Sequence, residues 1–280
     1  MIIHVLGTAQ DGGYPHAGCK KDCCKTVWDK PHLHRFPACI AVVDKKNKKY
    51  YLFDITPNVK EQIHFLESYD CKLAGIFITH AHVGHYLGLM DLGLEIMNLK
   101  NIPVYVMSRM KNFINDNQPM GQLVTNRNIN LIEIYNQKDI VFENFVVTPF
   151  EVPHRNELSE TVGYKITINQ KSIIFIPDID SWDKWDYNLV DLVKNNDLLF
   201  IDGTFYNKNE IQTRDVSKIP HPEIIDTINK LSHLDDKEKQ KVQFIHMNHT
   251  NQILRPDSLE FLNLKQNMFN ISRENQIFNF

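Results

Sequence analysis

Nowhere in the 280 residues does an apolar run reach the roughly 18 positions that a membrane-spanning helix needs, so a helical span is excluded. Cysteine is scarce and odd in number, five in all, which argues against a disulfide framework and leaves thiols or metal ligands as its uses. An excess of one charge is also missing. Thirty-one Lys and Arg against 34 Asp and Glu give a net charge of -3, no electrostatic footprint for duplex nucleic acid or an anionic membrane. The opening Met1-Ile2-Ile3-His4-Val5-Leu6-Gly7 lacks the charged start and small-residue cleavage site of a secretory signal. It is expected to be the first strand, and a cytoplasmic location is expected. Repeats, low-complexity tracts and linkers are absent too, so the expectation is a single domain over residues 1–280.

What is present is a chain of ordinary globular composition, 42% hydrophobic and 23% charged, long enough for a large core. Short Ile-, Val- and Phe-rich runs predict strands at 2–6, 38–43, 50–54, 74–78, 104–107, 146–152, 171–177, 198–202 and 242–246. The lysine-rich stretch 44–49 reads as a solvated hairpin turn. Helical periodicity predicts helices at 58–68, 86–99, 185–195, 221–231 and 256–264. Hairpins early and helical crossovers between later strands point to two mixed sheets packed face to face with helices outside.

The densest chemistry follows the run ending at Ile78, in Thr79-His80-Ala81-His82-Val83-Gly84-His85. Imidazole is the commonest neutral ligand for zinc and related ions, and a strand end followed by a turn can aim several of them at one place. Four more predicted strands stop at a donor: Asp54, His154, Asp178 and His246. Together they predict a two-metal centre, with His80, His82 and His154 on one ion, His85 and His246 on another, and Asp178 bridging both. Cys19, Cys23 and Cys24 read as part of a structural zinc site whose fourth ligand His249 can supply. Adjacent Cys23 and Cys24 leave open which of them faces the ion. Cys39 and Cys71 border apolar segments and are expected to be small core residues.

The segment from His80 to His85 resembles the HxHxDH motif of the metallo-β-lactamase superfamily, and Asp54, His154, Asp178 and His246 extend the likeness over most of residues 1–250. The resemblance implies an αβ/βα sandwich, an α/β fold of four layers with two mixed sheets and outer helices. It implies zinc as the cofactor, one or two ions, with manganese or iron as alternatives. Gly84 departs from the pattern, standing where the family has an aspartate ligand for the second ion, and its absence is expected to weaken that site. Within the superfamily, Gly7-Thr8-Ala9-Gln10-Asp11-Gly12-Gly13-Tyr14-Pro15, Gly18-Cys19 and the segment from Thr79 to Tyr86 resemble the pyrroloquinoline-quinone synthesis protein B group. Similar phosphodiesterases carry a cysteine cluster after the first strand, usually spaced C-x-C-x2-C. That spacing would put a cysteine at Lys21 where this chain offers Cys23.

The stretch from Asp197 to Phe205 resembles the ribonuclease Z segment in which an acidic residue supports a catalytic histidine. This implies Asp202 as the acid and His221, expected at a helix start, as the histidine that protonates a leaving group, with Asp178 holding the ions. Trp182, Phe205 and Arg155 are expected to line the pocket. The implied function is a metal-dependent hydrolase of a phosphodiester or similar small ester. The alternative is a metal-dependent oxidoreductase related to pyrroloquinoline-quinone biosynthesis. A small-molecule substrate is the expected partner, and the sequence leaves the oligomeric state open, a homodimer included. Substrate choice is expected to lie in loops such as 112–127 and 207–218.

Overall fold

Both faces of the central strands are apolar, and the fold uses both. In the computed structural model, which describes residues 1–210 and 219–280, two seven-stranded sheets stack face to face. The first has the order β14 (Ile277–Asn279), β1 (Ile2–Gly7), β2 (Cys39–Asp44), β3 (Lys49–Phe53), β4 (Lys72–Phe77), β5 (Ile102–Val106), β6 (Ile129–Glu133). The second runs β13 (Asn270–Ile271), β12 (Val242–Ile245), β11 (Leu198–Asp202), β10 (Lys171–Ile176), β9 (Val162–Ile168), β8 (Val146–Glu151), β7 (Ile140–Val141). Each sheet is mixed, with an antiparallel meander passing into parallel strands at β3–β4 and at β10–β11.

The alternation of side chains across a pleat sorts residues of one strand into two cores. From β1, Ile3 and Val5 face the other sheet while Ile2 and Leu6 face outward; from β3, Tyr51 and Phe53 point in while Tyr50 and Leu52 point out. Between the sheets Phe53 stacks on Phe77 with centroids 4.8 Å apart, and Tyr164 meets Phe53 edge-on. Truncating one such fully buried aromatic to alanine should cost about 3–5 kcal/mol. The outer face of the first sheet is covered by α2 (Val59–His64), α4 (Ser108–Asp116) and α5 (Met120–Thr125). That of the second is covered by α6 (Leu189–Lys194), α7 (Ile224–Lys230) and α9 (Leu259–Gln266). The expected four-layer sandwich is the observed one.

The differences are local. Instead of one helix over 86–99 there is a four-residue α3 (Val83–Tyr86), a 3-10 segment Leu87–Leu92 and turns. Gly88 packs so tightly on Thr56 O that a Cβ has no room, and the segment is shaped by this contact with the loop after β3. The loop expected at 112–127 is mostly α4 and α5, and residues 211–218 of the other expected specificity loop lie outside the described residues. Strands β6, β7, β9, β13 and β14 are additional to those expected. His221 precedes α7 by three residues, in the loop, and not at the helix start. Trp182 is a core residue whose indole N–H donates to Thr227 Oγ1 at 2.9 Å, so it does not line the pocket.

Candidate metal centre

The strands β1, β3, β4, β8, β10, β11 and β12 run in one sense, and their C-terminal ends share one edge of the sandwich. Loops leaving such an edge form the natural crevice of an open α/β sheet. His80 and His82 follow β4, His85 sits in α3, His154 follows β8, Asp178 follows β10, Asp202 ends β11 and His246 follows β12.

Asp178 lies at the middle. Its Oδ2 is 3.4 Å from His80 Nε2, 3.7 Å from His85 Nε2 and 3.6 Å from His246 Nε2, while Oδ1 is 3.4 Å from His154 Nε2. Two donor sets result, linked by a third made of Asp178, Asp202, His221 and His246. His80, His82, His154 and Asp178 offer ligand atoms all within 4.8 Å of one another, and so do Asp11, His85 and His246. His80, His82 and His154 thus lie in one set with Asp178, and His85 and His246 lie in another, with Asp178 Oδ2 3.7 and 3.6 Å from their Nε2 atoms.

Four of the five imidazoles, all but His82, are steered from the far side. Thr79 Oγ1 lies 2.9 Å from His80 Nδ1, Asp180 Oδ1 2.9 Å from His154 Nδ1, Thr204 Oγ1 2.9 Å from His246 Nδ1 and Asp54 Oδ2 2.7 Å from His85 Nδ1. Such outer partners fix which nitrogen faces an ion. Asp54, a strand-end donor that the sequence assigns to neither ion, is one of these outer partners. Its carboxylate also accepts from Thr79 N at 2.8 Å, and it braces His85 from behind. Sequence reasoning missed Thr79, Thr204, Asp180 and Asp11. Only Asp180, two residues past Asp178, and Asp11, within the quoted stretch from Gly7 to Pro15, left any signal.

Burial and charge pull the groups apart. Burial, followed by repulsion from His85, pushes His80 well below its ordinary value, and burial lowers His154 and His246. Burial alone would raise Asp178, but His154, His246 and His221 outweigh it and hold the carboxylate well below the usual range. The same holds for Asp11, where burial is overcome by the His85 contact. His80, His154 and His246 are thus held neutral beside ionised Asp11 and Asp178. At His85 burial is outweighed by Asp54 and Asp11, which raise it well above its ordinary value, so that His85 must give up a proton to bind metal.

Metal fits these residues for a further reason. Asp11 Oδ1, His85 Nε2, Asp178 Oδ1 and His246 Nε2 are buried with no hydrogen-bond partner among the described residues. Orphan polar atoms of this kind each cost about 1–3 kcal/mol unless something satisfies them, and here four converge. Beside them His221 Nδ1 contacts Asp202 Oδ2 at 2.8 Å and Asp178 Oδ1 at 3.2 Å. Burial would lower His221, but Asp202 and Asp178 outweigh it and raise it to about 9. Phe205 meets the His221 ring edge-on, and Arg155 Nη2 is 3.2 Å from His82 Nε2. A cleft of about 520 Å³ opens between Asp11, Val83 and Phe205 on one side and Cys19 and His249 on the other.

At the far end of that cleft lie the cysteines. Cys19 Sγ is 3.8 Å from Cys23 Sγ, Cys23 Sγ 3.9 Å from Cys24 Sγ, and His249 Nδ1 3.6 and 3.4 Å from Cys23 and Cys24 Sγ. A tetrahedral zinc with bonds of about 2.3 Å to sulfur and 2.0 Å to nitrogen sets those edges at roughly 3.8 and 3.6 Å, so the four groups fit the ion. Adjacent Cys23 and Cys24 both belong to the set.

Similarity to known proteins agrees with this geometry. The chain is 23% identical to a protein named coenzyme PQQ synthesis protein B from Acinetobacter baumannii (strain AB0057), over 95% of this chain and 96% of that one. Its fold matches a crystal structure of Zn(2+)-bound PqqB from Methylobacterium extorquens at 19% identity and TM-score 0.84, covering both chains completely. It also matches a diphosphatase from the PhnP family at 19% identity and TM-score 0.69, over 100% of this chain and 96% of that one. One family model, that of the beta-lactamase superfamily domain, fits residues 49–247, well over half of the sequence, and the chain therefore belongs to that family.

Proposed function

We propose that the protein is a metal-dependent hydrolase of a phosphodiester or similar small ester. The observation that carries this reading is the convergence of four buried, partnerless donor atoms beside the Asp202–His221 pair. His80, His82, His154 and Asp178 hold one ion and His85, His246 and Asp178 the other. Ions held there supply Lewis acidity, making water acidic enough to attack at neutral pH and drawing charge from the scissile group.

The chain's own residues do the rest. Asp202, itself fixed by Ile179 N at 3.1 Å and Thr204 N at 2.9 Å, turns His221 so that Nδ1 faces the carboxylates. Nε2 is then the nitrogen that hands a proton to the departing oxygen, general acid work. Arg155, beside His82, lies where an anionic substrate is drawn in. Cys19, Cys23, Cys24 and His249 hold a structural zinc. Purified protein with zinc or manganese should cleave bis(p-nitrophenyl) phosphate, and His82→Ala should not; equal rates in the two would sink the proposal.

A second reading has one observation in its favour. Similarity to the proteins named coenzyme PQQ synthesis protein B runs over nearly the whole length, and the set of three histidines plus Asp178 also suits iron. On this reading the protein is a metal-dependent oxidoreductase. Metal analysis after expression without added zinc decides between them: about one iron per chain with oxygen consumption favours the oxidoreductase, and two zinc ions at the centre favour the hydrolase.

A further inference from the structure

Gly84 occupies the second position of α3, at ordinary helical geometry and not with the positive φ that usually calls for glycine. Space explains it instead. A Cβ built on Gly84 would stand 2.7 Å from Asp11 Cα, 3.0 Å from Asp11 Cγ and closer still to Asp11 Oδ1. A clash with a backbone carbon cannot be relieved by turning a side chain, so any larger residue at 84 displaces the loop that carries Asp11.

Asp11 belongs to a segment distant in sequence, the turn after β1, and it is held firmly where it is. Gln10 N donates to Met247 O at 2.9 Å, Met247 N donates to Thr8 O at 2.8 Å, and Ala9 bridges to Met247, next to His246. From there Asp11 Oδ1 points at His85 Nε2, 3.3 Å away, and joins His85 and His246 in one donor set. All three of these donor atoms are buried and lack a hydrogen-bond partner.

From this geometry we infer that Asp11 is the carboxylate ligand of the ion at His85 and His246, taking over from a different strand the place that an aspartate at position 84 would fill, and that Gly84 is the vacancy that admits it. The second ion is then as well provided as the first, and the weakening expected from Gly84 does not occur. The inference rests on the reading that His85, His246 and Asp178 bind metal.

Metal content per chain, measured after dialysis against a weak chelator, tests it without reference to activity. Asp11→Ala should hold one ion fewer than the parent, with affinity for that ion weaker by at least about 100-fold, since even outer-shell changes cost 10–100-fold. Gly84→Ala should show the same loss, because it pushes Asp11 away. Asp11→Ala combined with Gly84→Asp should regain the ion, the carboxylate returning by way of the helix. If Asp11→Ala fails to fold by circular dichroism, the isosteric Asp11→Asn is read in its place. His246→Ala separates the two levels of the argument. If it loses the ion while the Asp11 variant binds as tightly as the parent, the assignment of Asp11 is overturned; if His246→Ala keeps the parent's full count, the reading of the centre itself fails.

Discussion

At the strand ends the donors come from several different elements and four of the imidazoles have a partner of their own behind them, whereas the cysteine corner draws three of its four groups from residues 19–24 around the short helix α1 (Asp22–Lys25). The first arrangement is fixed by two sheets and three hydrophobic clusters whether or not metal is bound. The second packs on a small cluster of Ala9, Tyr14, Cys24 and Val27, too little apolar surface to order a loop of this length. Two of its thiols are not preset for metal either: burial pushes Cys23 up and Cys24 up to about 12, so binding there must drive off protons. The fold by itself arranges one site, whereas zinc at the other would add order to a weakly packed loop.

That contrast can be broken by experiment. The largest effect should come from His82→Ala, which removes a ligand and should reduce phosphodiester cleavage to background while the melting temperature stays close to that of the metal-depleted parent. Next, His221→Gln should slow cleavage of an alkyl ester substrate by about 10²–10⁴-fold, the range of general acid catalysis. The loss should be much smaller for a p-nitrophenyl ester, whose leaving group departs without a proton; equal losses would remove the acid role. In the other region His249→Ala should lose zinc and, forfeiting about 3 kcal/mol, melt about 10 °C earlier by calorimetry. Cys24→Ala should match it, and normal zinc content and stability in both would dissolve the contrast. Smallest of all, Thr204→Val should weaken zinc at the centre by about 10-fold, at the low end for an outer partner. A competition titration measures it, and no change would show that His246 needs no bracing.

What could be read in advance follows the same division. Strand ends with donors are visible because a strand is a local pattern and its last residue is a fixed place, hence His80, His82, His154, Asp178 and His246. Asp54 looked like another donor because sequence fixes where a carboxylate starts but not which side of an imidazole it meets. Asp11, Thr79 and Thr204 were hidden, since each acts across elements far apart in the chain and nothing local marks the partner. The helix expected at 86–99 failed for a related reason, as the close approach of Gly88 to Thr56 is a tertiary constraint that periodicity does not carry.

Asp11 and the cysteines are carried by one short stretch after β1, and His246 and His249 by another after β12, with backbone hydrogen bonds joining the two through Met247. His16 strengthens the tie, its N–H donating to Cys24 Sγ at 3.3 Å and its ring lying 4.4 Å from that of His249. Two binding events that share one backbone segment are not independent: an ion at the corner would hold the stretch after β1 in the position from which Asp11 meets the centre. By reciprocity the centre must favour the corner by the same factor. Zinc uptake by this chain should therefore be cooperative between sites of different chemistry, a binding isotherm steeper than two independent sites allow.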